Sequence, residues 1–268
     1  MQITCLNGWG GRLYEELVSY LAASQPDVLC LQEVVHTPDS TEPWLVYCDL
    51  GMELPQRANL FAEIRDILPN HVAVFCPCAQ GELWRGNERI ASQWGIATYV
   101  HRSLPIIAQI QAFVHGAFSP CGYGDHPRSR NAHAIRVFDF ELGFPVTIAH
   151  MHGLRDPAGK HDNPARLAQA ERLKTLVRSI AESGDRIVVC GDFNVTPDSQ
   201  TFEALGAIGL TDLVTTRGFS NTRTSYYRKE GRYADYMLIN DLLASATFEV
   251  VERPEVSDHC PLVLRMTR

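Results

Sequence analysis

The chain has 268 residues, 45% hydrophobic and 21% charged, which is the balance of a globular protein with a sizeable core and excludes a disordered chain. Its net charge is −7, whereas a surface built to grip long duplex nucleic acid is usually basic, so a small or locally bound substrate is favoured. No run approaches ~18 consecutive apolar residues, and no basic-then-apolar leader precedes the first strand signal, so neither a membrane span nor a secretory signal is expected.

Residues 2–6 predict a strand ending at Asn7, followed by a loose turn through Gly8, Gly10 and Gly11. Leu13, Leu17, Tyr20 and Leu21 recur at helical spacing up to about Ser24. Pro26-Asp27 breaks that helix, and Val28 to Leu31 give a buried strand ending in Gln32-Glu33. The β-α-β order predicts that the two strands are parallel neighbours. Residues 36–58, rich in Pro, Asp and Glu, predict an irregular insertion. Leu60, Ile64 and Leu68 mark a short helix stopped by Pro69, and Val72 to Phe75 a strand. Residues 77–93 predict a polar loop carrying Trp84, Arg85 and Arg89, and Gly95 to Val100 another strand. After a glycine- and proline-rich segment at 115–131, Ala132 to Phe140 and Pro145 to Met151 predict an antiparallel hairpin around Leu142-Gly143. Asn163-Pro164 starts a helix whose inner face is Leu167, Ala170, Leu173, Val177 and Ile180. Ile187 to Cys190 predict a buried strand running into Gly191-Asp192-Phe193-Asn194, where Asp192 and Asn194 share a side if the backbone stays extended. A short helix with Phe202 and Leu205 and a basic, polar stretch at 217–232 precede three last strands, Tyr233 to Ile239, Thr247 to Val251 and Cys260 to Leu264. There is no repeat and no convincing linker, so one domain over residues 1–268 is expected, an α/β (α+β) fold of two sheets packed face to face with helices outside.

Of the eight cysteines, Cys5, Cys30 and Cys190 lie inside apolar strand runs as small hydrophobes. Cys76-Pro77-Cys78 lacks the companion pair of a structural zinc site. A reducing, cytoplasmic compartment fits this usage.

Polar groups stand where apolar runs stop: Asn7, Glu33, Asp192 with Asn194, Asp235, Asp258-His259, and His150 with His152 two residues on. Each alone has an ordinary structural explanation, since Asp and Asn cap turns and a histidine can be a hydrogen-bonded core residue. Together they are harder to explain structurally, because burying several carboxylates near one another costs several kcal/mol each, roughly, without a compensating cation. Hard oxygen ligands suit Mg2+ or Mn2+, which take one or two carboxylates and keep water and substrate oxygens. A phosphoester needs its charge neutralised, a water deprotonated and a leaving oxygen stabilised. A histidine paired with an aspartate is held in one tautomer and can receive phosphate charge.

Leu31-Gln32-Glu33-Val34, Gly191-Asp192-Phe193-Asn194, Asp235-Tyr236 and Ser257-Asp258-His259 resemble, in order and spacing from Asn7 to Pro261, the motifs of the endonuclease/exonuclease/phosphatase superfamily. The resemblance implies a four-layer α/β sandwich and a Mg2+- or Mn2+-dependent phosphoester hydrolase, either phosphodiesterase or phosphatase, with a nuclease as the alternative. It implies Glu33 as principal metal ligand, Asn7 beside it and Asp258 helping. Asp192 would orient or deprotonate the attacking water, Asn194 would hydrogen-bond the phosphate, and His259, paired with Asp235, would stabilise the pentacovalent state. His150 matches the family's Thr-His-Leu position with Ala149 in place of the threonine, and would contact phosphate or leaving group. His152, Arg155 and Arg130 are candidate substrate contacts, as are Arg85, Arg128 and Lys160 on the insertions at 36–58, 77–93 and 115–131 and the loop after them.

Two rivals remain. Gly8-Trp9-Gly10-Gly11 follows a strand and has the layout of a dinucleotide turn, but Leu13 stands at the third glycine position and nothing in that scheme uses Asp192, Asp235 or His259. An inactive relative acting as a binding module is the other, against which stands the filling of every catalytic position with the expected residue type. No Gly-x-Ser-x-Gly or His-Glu-x-x-His is present, and the sequence leaves the oligomeric state open.

Overall fold

The computed structural model describes residues 1–49 and 51–267. In chain order the elements are β1 (Gln2–Asn7), a 3-10 turn (Trp9–Gly11), α1 (Tyr14–Ser24), β2 (Val28–His36), β3 (Trp44–Asp49), β4 (Met52–Arg57), α2 (Leu60–Ile67), β5 (His71–Arg85), β6 (Glu88–His101) and β7 (Ile106–His115). Then follow β8 (Arg130–Asp139), β9 (Phe144–His152), α3 (Pro164–Ile180), β10 (Arg186–Asp192), α4 (Gln200–Gly206), β11 (Leu210–Asp212), α5 (Leu213–Thr216), β12 (Asp235–Asn240), β13 (Thr247–Val250) and β14 (Leu262–Arg265). One sheet has eight strands in the order β13-β14-β1-β2-β6-β5-β3-β4, the other six in the order β11-β12-β10-β9-β8-β7. β1 and β2 are parallel, as are β9 and β10, and the remaining pairs are antiparallel.

The layering follows from strand periodicity. In β1, Ile3 and Cys5 face the second sheet while Leu6 faces α1 and α2; in β2, Val28 and Cys30 face inward and Leu29 and Leu31 outward. Both faces are apolar because both are covered, which is why these strands are continuous hydrophobic runs. Leu17, Leu21, Leu60 and Ile64 cover the outside of the first sheet. Leu173, Val177 and Leu205 bring α3 and α4 against the second. Each such burial contributes roughly 2 kcal/mol. Asn163 caps α3 by accepting from the Arg166 N–H at 2.9 Å, with Pro164 in the first turn. The result is the α/β sandwich of two mixed sheets flanked by helices.

Three segments differ from the sequence expectation. Residues 36–58 contain the β3–β4 hairpin, with Leu50 outside the described residues. Pro55 and a largely exposed surface obscure β4, which is the sheet edge, where proline is tolerated. Residues 77–93 are no loop: β5 and β6 run on as a long hairpin to Arg85 and Glu88. Its buried Ala79, Gly81 and Leu83 alternate with exposed Gln80 and Glu82, a strand pattern diluted by a glycine that packs beneath the Tyr123 ring. β7 was not foreseen at all, because it is an edge strand with most side chains in solvent.

Two irregularities shape the site. Where β2 pairs with β6, Leu31 faces Ala97 but Val34 faces Gly95, so Gln32 and Glu33 share one opposing residue in a bulge. A second bulge in β5, between Pro77 and Ala79, falls opposite the same Gly95. A Cβ at Gly95 would lie 2.1 Å from the Cys76 carbonyl oxygen, so only glycine lets the three strands close there.

Candidate active site

The bulge turns Glu33 out of the sheet with φ +54°, a conformation that non-glycine residues adopt rarely and that clusters at functional sites. Asn194 has the same φ, so the backbone after Asp192 leaves the extended form, and the assumed extended geometry of the Asp192–Asn194 pair does not hold. In the second sheet Asp192 lies opposite both Asp235 on β12 and His152 on β9, which sets three polar side chains in one row. Asn7, at the end of β1, reaches across between the sheets: its Nδ2 donates to Asp192 Oδ2 at 3.0 Å, while its Oδ1 accepts the Trp9 N–H at 3.0 Å. The segment before β14 completes the cluster. Ser257 Oγ donates to the Asn7 carbonyl at 2.7 Å and accepts the His259 N–H at 3.2 Å, fixing where Asp258 and His259 stand.

His259 Nδ1 lies 2.8 Å from Asp235 Oδ2, and its Nε2 lies 3.7 Å from both Asp192 Oδ2 and Asp258 Oδ1. Burial pushes the Asp235 carboxyl up to about 7 and the His259 imidazole down to about 4, with Arg223 adding to the second shift. With Nδ1 facing Asp235, the His259 Nε2 faces the cluster. His152 Nε2 stands 3.7 Å from Asp192 Oδ2 and 3.9 Å from Glu33 Oε1. Burial, then Arg130, holds its pKa well below the ordinary histidine range, so it is neutral. Burial raises Glu33 to about 7, and the negative charge of Asp258 adds to the effect. Asn194 donates its backbone N–H to Asp192 Oδ1 at 3.1 Å.

His150 stands elsewhere. It is on the same strand face as His152 but two residues deeper, hydrogen-bonded to Gln32 at 3.2 Å and to Thr98 Oγ1 at 2.8 Å. Thr98 Oγ1 in turn contacts His133 Nδ1 at 2.7 Å. Burial, then His133, depresses the His150 pKa strongly. His152, two residues further along the strand, stands nearer the carboxylates, 3.7 Å from Asp192 Oδ2 and 3.9 Å from Glu33 Oε1.

The candidate basic residues divide by their partners. Arg130 is buried, donates from Nε to the Gly153 carbonyl at 2.9 Å, and lies 5.4 Å over the Trp94 ring, which itself abuts His152 at 5.7 Å between ring centres. Arg128 ties the segment 115–131 to β3 through the Tyr47 hydroxyl at 2.6 Å and Asp49 at 2.7 Å. Lys160 donates to the Tyr233 and Gly231 carbonyls, joining the loop after β9 to the one before β12. Arg85 is engaged with Glu88 and Glu42 at the exposed hairpin tip, and Arg155 is exposed. Sequence reasoning missed Arg223, hidden in a stretch legible only as basic and polar. Its backbone pairs with His259 in an isolated bridge and its Nη1 donates to Asp258 Oδ2 at 2.9 Å. No local pattern marks it, since the pairing joins residues 36 apart in the chain.

The donor set fits a divalent cation. Asp258 Oδ1 is a buried oxygen with no hydrogen-bond partner, and it sits near Glu33, where burial and then the Asp258 charge disfavour the ionised carboxylate, a penalty that a cation would relieve. Asp192, Asp235 and His259 also offer ligand atoms within 4.8 Å of one another. Gly10 and Gly11 pack against β4, where an added Cβ would come within 2.8 Å of the Gln56 side chain and 2.5 Å of the Arg57 side chain.

An α/β sandwich with carboxylates, amides and histidines gathered at its strand ends is the framework of phosphoester hydrolases. The family model of the endonuclease/exonuclease/phosphatase family matches residues 6–259, and the chain belongs to this family. It is similar in structure to an endonuclease/exonuclease/phosphatase from Bacteroides vulgatus, at 15% identity and a TM-score of 0.64, covering 98% of this chain and 97% of that one. It is similar to a mannosyl-6-phosphatase from Bacteroides thetaiotaomicron, at 15% identity and a TM-score of 0.63 over 100% of both chains. A third likeness is to the catalytic domain of human nocturnin with a bound sulfate anion, at 17% identity and a TM-score of 0.64, covering 98% and 93%. No curated protein matches the chain in sequence.

Proposed function

We propose that the protein is a Mg2+- or Mn2+-dependent hydrolase of phosphoester bonds that works by direct attack of water. The observation that carries this reading is the unpartnered Asp258 Oδ1 beside Glu33 and Asp192, facing a His259 whose Nε2 is free. Glu33, Asp258 and Asn7 would hold the ion, which supplies charge neutralisation and a lowered pKa for water. Asp192, held by Asn7 and the Asn194 N–H, is the carboxylate placed to orient and deprotonate the attacking water. His259, kept in position by Asp235, offers its Nε2 hydrogen to the phosphoryl oxygen that gains charge. His152 is the second histidine placed to meet the phosphate or the leaving group, with the Asn194 side chain as a further donor. Such donors are typically worth a hundredfold or more each, roughly.

A small or locally bound phosphoester agrees with the charge of −7. Phosphate chemistry is also what the mannosyl-6-phosphatase and the sulfate-bound nocturnin domain bring to the comparison. The eight cysteines are unpaired thiols, six of them buried, which supports a reducing, cytoplasmic compartment, and no helix among the described residues is long and apolar enough to cross a membrane. The test is turnover of a panel of phosphomonoesters, phosphodiesters and oligonucleotides with Mg2+, Mn2+ or excess chelator. Metal-dependent release of product from one class is expected. Equal turnover in chelator, or none with either ion, rejects the reading.

A further inference from the structure

Arg223 is a charged side chain of the cluster that the proposed mechanism does not use. It is 7% exposed. One arm is committed, with Nη1 donating to Asp258 Oδ2 at 2.9 Å. The plane is propped on the Tyr227 ring, 4.4 Å from guanidinium carbon to ring centre. The Nε hydrogen is buried and has no partner. Asp192 and Asp235 both act on the charge, which places the guanidinium beside the carboxylates of the floor. Its backbone is fixed as well, bridged to His259 and capped at its carbonyl by Arg232 at 2.7 Å. Lys160, 5.7 Å from the same Tyr227 ring, adds a second cation to this wall.

A buried N–H without a partner is costly unless a ligand meets it. The adjacent Asp258 Oδ1 is orphaned too, and the two atoms are of opposite character: one awaits a cation, the other an anion. A rigid guanidinium fork is suited to two oxygens of one phosphate, and a terminal phosphate differs from a diester in having a third free oxygen and a second negative charge. Resting on the hydrolase reading above, we propose that Arg223 takes that extra oxygen and charge, so that the site is built for phosphomonoesters in preference to phosphodiesters.

The experiment compares p-nitrophenyl phosphate with bis(p-nitrophenyl) phosphate, which share a leaving group, in the wild type, Arg223→Gln and Arg223→Lys with saturating Mn2+. The wild type should prefer the monoester. The ratio of the two kcat/KM values should fall at least tenfold in Arg223→Gln and recover in part in Arg223→Lys, and inhibition by inorganic phosphate should weaken at least tenfold in Arg223→Gln. If Arg223 only supports Asp258, both esters fall in parallel and the ratio and the phosphate inhibition stay put, which overturns the proposal, as does a wild-type preference for the diester. Should Arg223→Gln fail to fold, Arg223→Lys decides alone: a ratio at least threefold lower upholds the assignment and an unchanged ratio overturns it. If the wild type hydrolyses neither ester, the hydrolase reading is judged by the substrate panel above. Calorimetric titration with inorganic phosphate then judges the anion site separately: saturable binding weakened in Arg223→Lys upholds it, and no binding overturns it.

Discussion

Gln32 and Glu33 are neighbours in one bulge of β2, yet they belong to two polar layers of opposite character. Gln32 joins the deeper layer. Its Nε2 donates to His150 Nδ1, which leaves the His150 Nε2–H for Thr98 Oγ1, and Thr98 Oγ1 lies 2.7 Å from His133 Nδ1. Burial lowers both histidine pKa values, that of His133 to about 4. Glu33 joins the upper layer, where carboxylates crowd, one buried oxygen has no partner and two carboxyls titrate near 7. The lower layer is a satisfied network that fixes how the sheets meet. The upper one keeps a buried carboxylate oxygen, Asp258 Oδ1, without a hydrogen-bond partner, where the proposed ion would sit.

The largest effect should come from removing a member of the upper layer. Glu33→Ala or His259→Ala is expected to lower kcat at least about a thousandfold, the scale of general acid–base and electrostatic terms lost together. The thermal midpoint should hold in Glu33→Ala, which removes a group that is costly to bury, and fall in His259→Ala, which leaves the buried Asp235 carboxyl without its partner. Kinetics beside a thermal melt check this, and near-normal turnover in either variant would count against the assigned roles.

Next comes the contrast between the two histidines of β9. His152→Ala should cost about a hundredfold in kcat with little change in melting temperature. His150→Ala should do the reverse, leaving Gln32 and Thr98 without a partner and destabilising the fold by about 1–3 kcal/mol, with turnover per folded molecule within roughly tenfold of the wild type. If His150→Ala were the more damaging to kcat, the division into layers would be wrong.

That pair also shows what was legible in the sequence. Both histidines lie on the inward face of one strand, and the period of two says so. Their depth does not follow from β9 alone. It depends on where β9 ends relative to β10, a register fixed by Asp192 lying opposite His152. The buried strands and the helices with apolar stripes were readable because local periodicity carries them. The β3–β4 hairpin at one sheet edge and the edge strand β7 were not, because one or both of their faces meet water and their patterns are weak. Arg223 was invisible for a different reason: its partner Asp258 comes from a loop brought over by the closing strands.

A smaller effect, graded with pH, separates the layers electrostatically. Glu33 in the metal-free protein has a pKa raised to about 7 from an ordinary 4.5. Its contribution to stability is therefore complete below about pH 4.5 and lost as pH rises through 7, at roughly 1.4 kcal/mol per pH unit. Asp235 acts in the same sense, while His259, lowered to about 4, contributes fully above its unfolded pKa and loses that contribution as pH falls. Glu33→Gln isolates the Glu33 share: the metal-free variant should lose less stability than the wild type between pH 5 and 7, as followed by urea unfolding. A divalent ion must displace the same proton, so apparent Mn2+ affinity in the wild type should rise about tenfold per pH unit up to about 7 and then level off. A flat affinity profile would remove Glu33 from the set of ligands.

The smallest effect is expected at the rim. Arg85 is tied to Glu88 and Glu42 at the tip of the β5–β6 hairpin, with nearly half of its side chain and of each partner in solvent. Exposed ion pairs of this kind contribute little, since solvent screens them and both side chains lose freedom in making them. Arg85→Ala should leave kcat, KM and the melting temperature unchanged within error. Arg128→Ala is the informative partner. Arg128 is mostly buried and binds Tyr47 and Asp49 at once, so its loss frees the segment 115–131 beside Trp94. KM should then rise several-fold while kcat holds, because the wall moves and the strand-end cluster does not. A KM shift in Arg85→Ala as large as that in Arg128→Ala would mean that substrate reaches the hairpin tip, and the boundary of the site would have to be redrawn there.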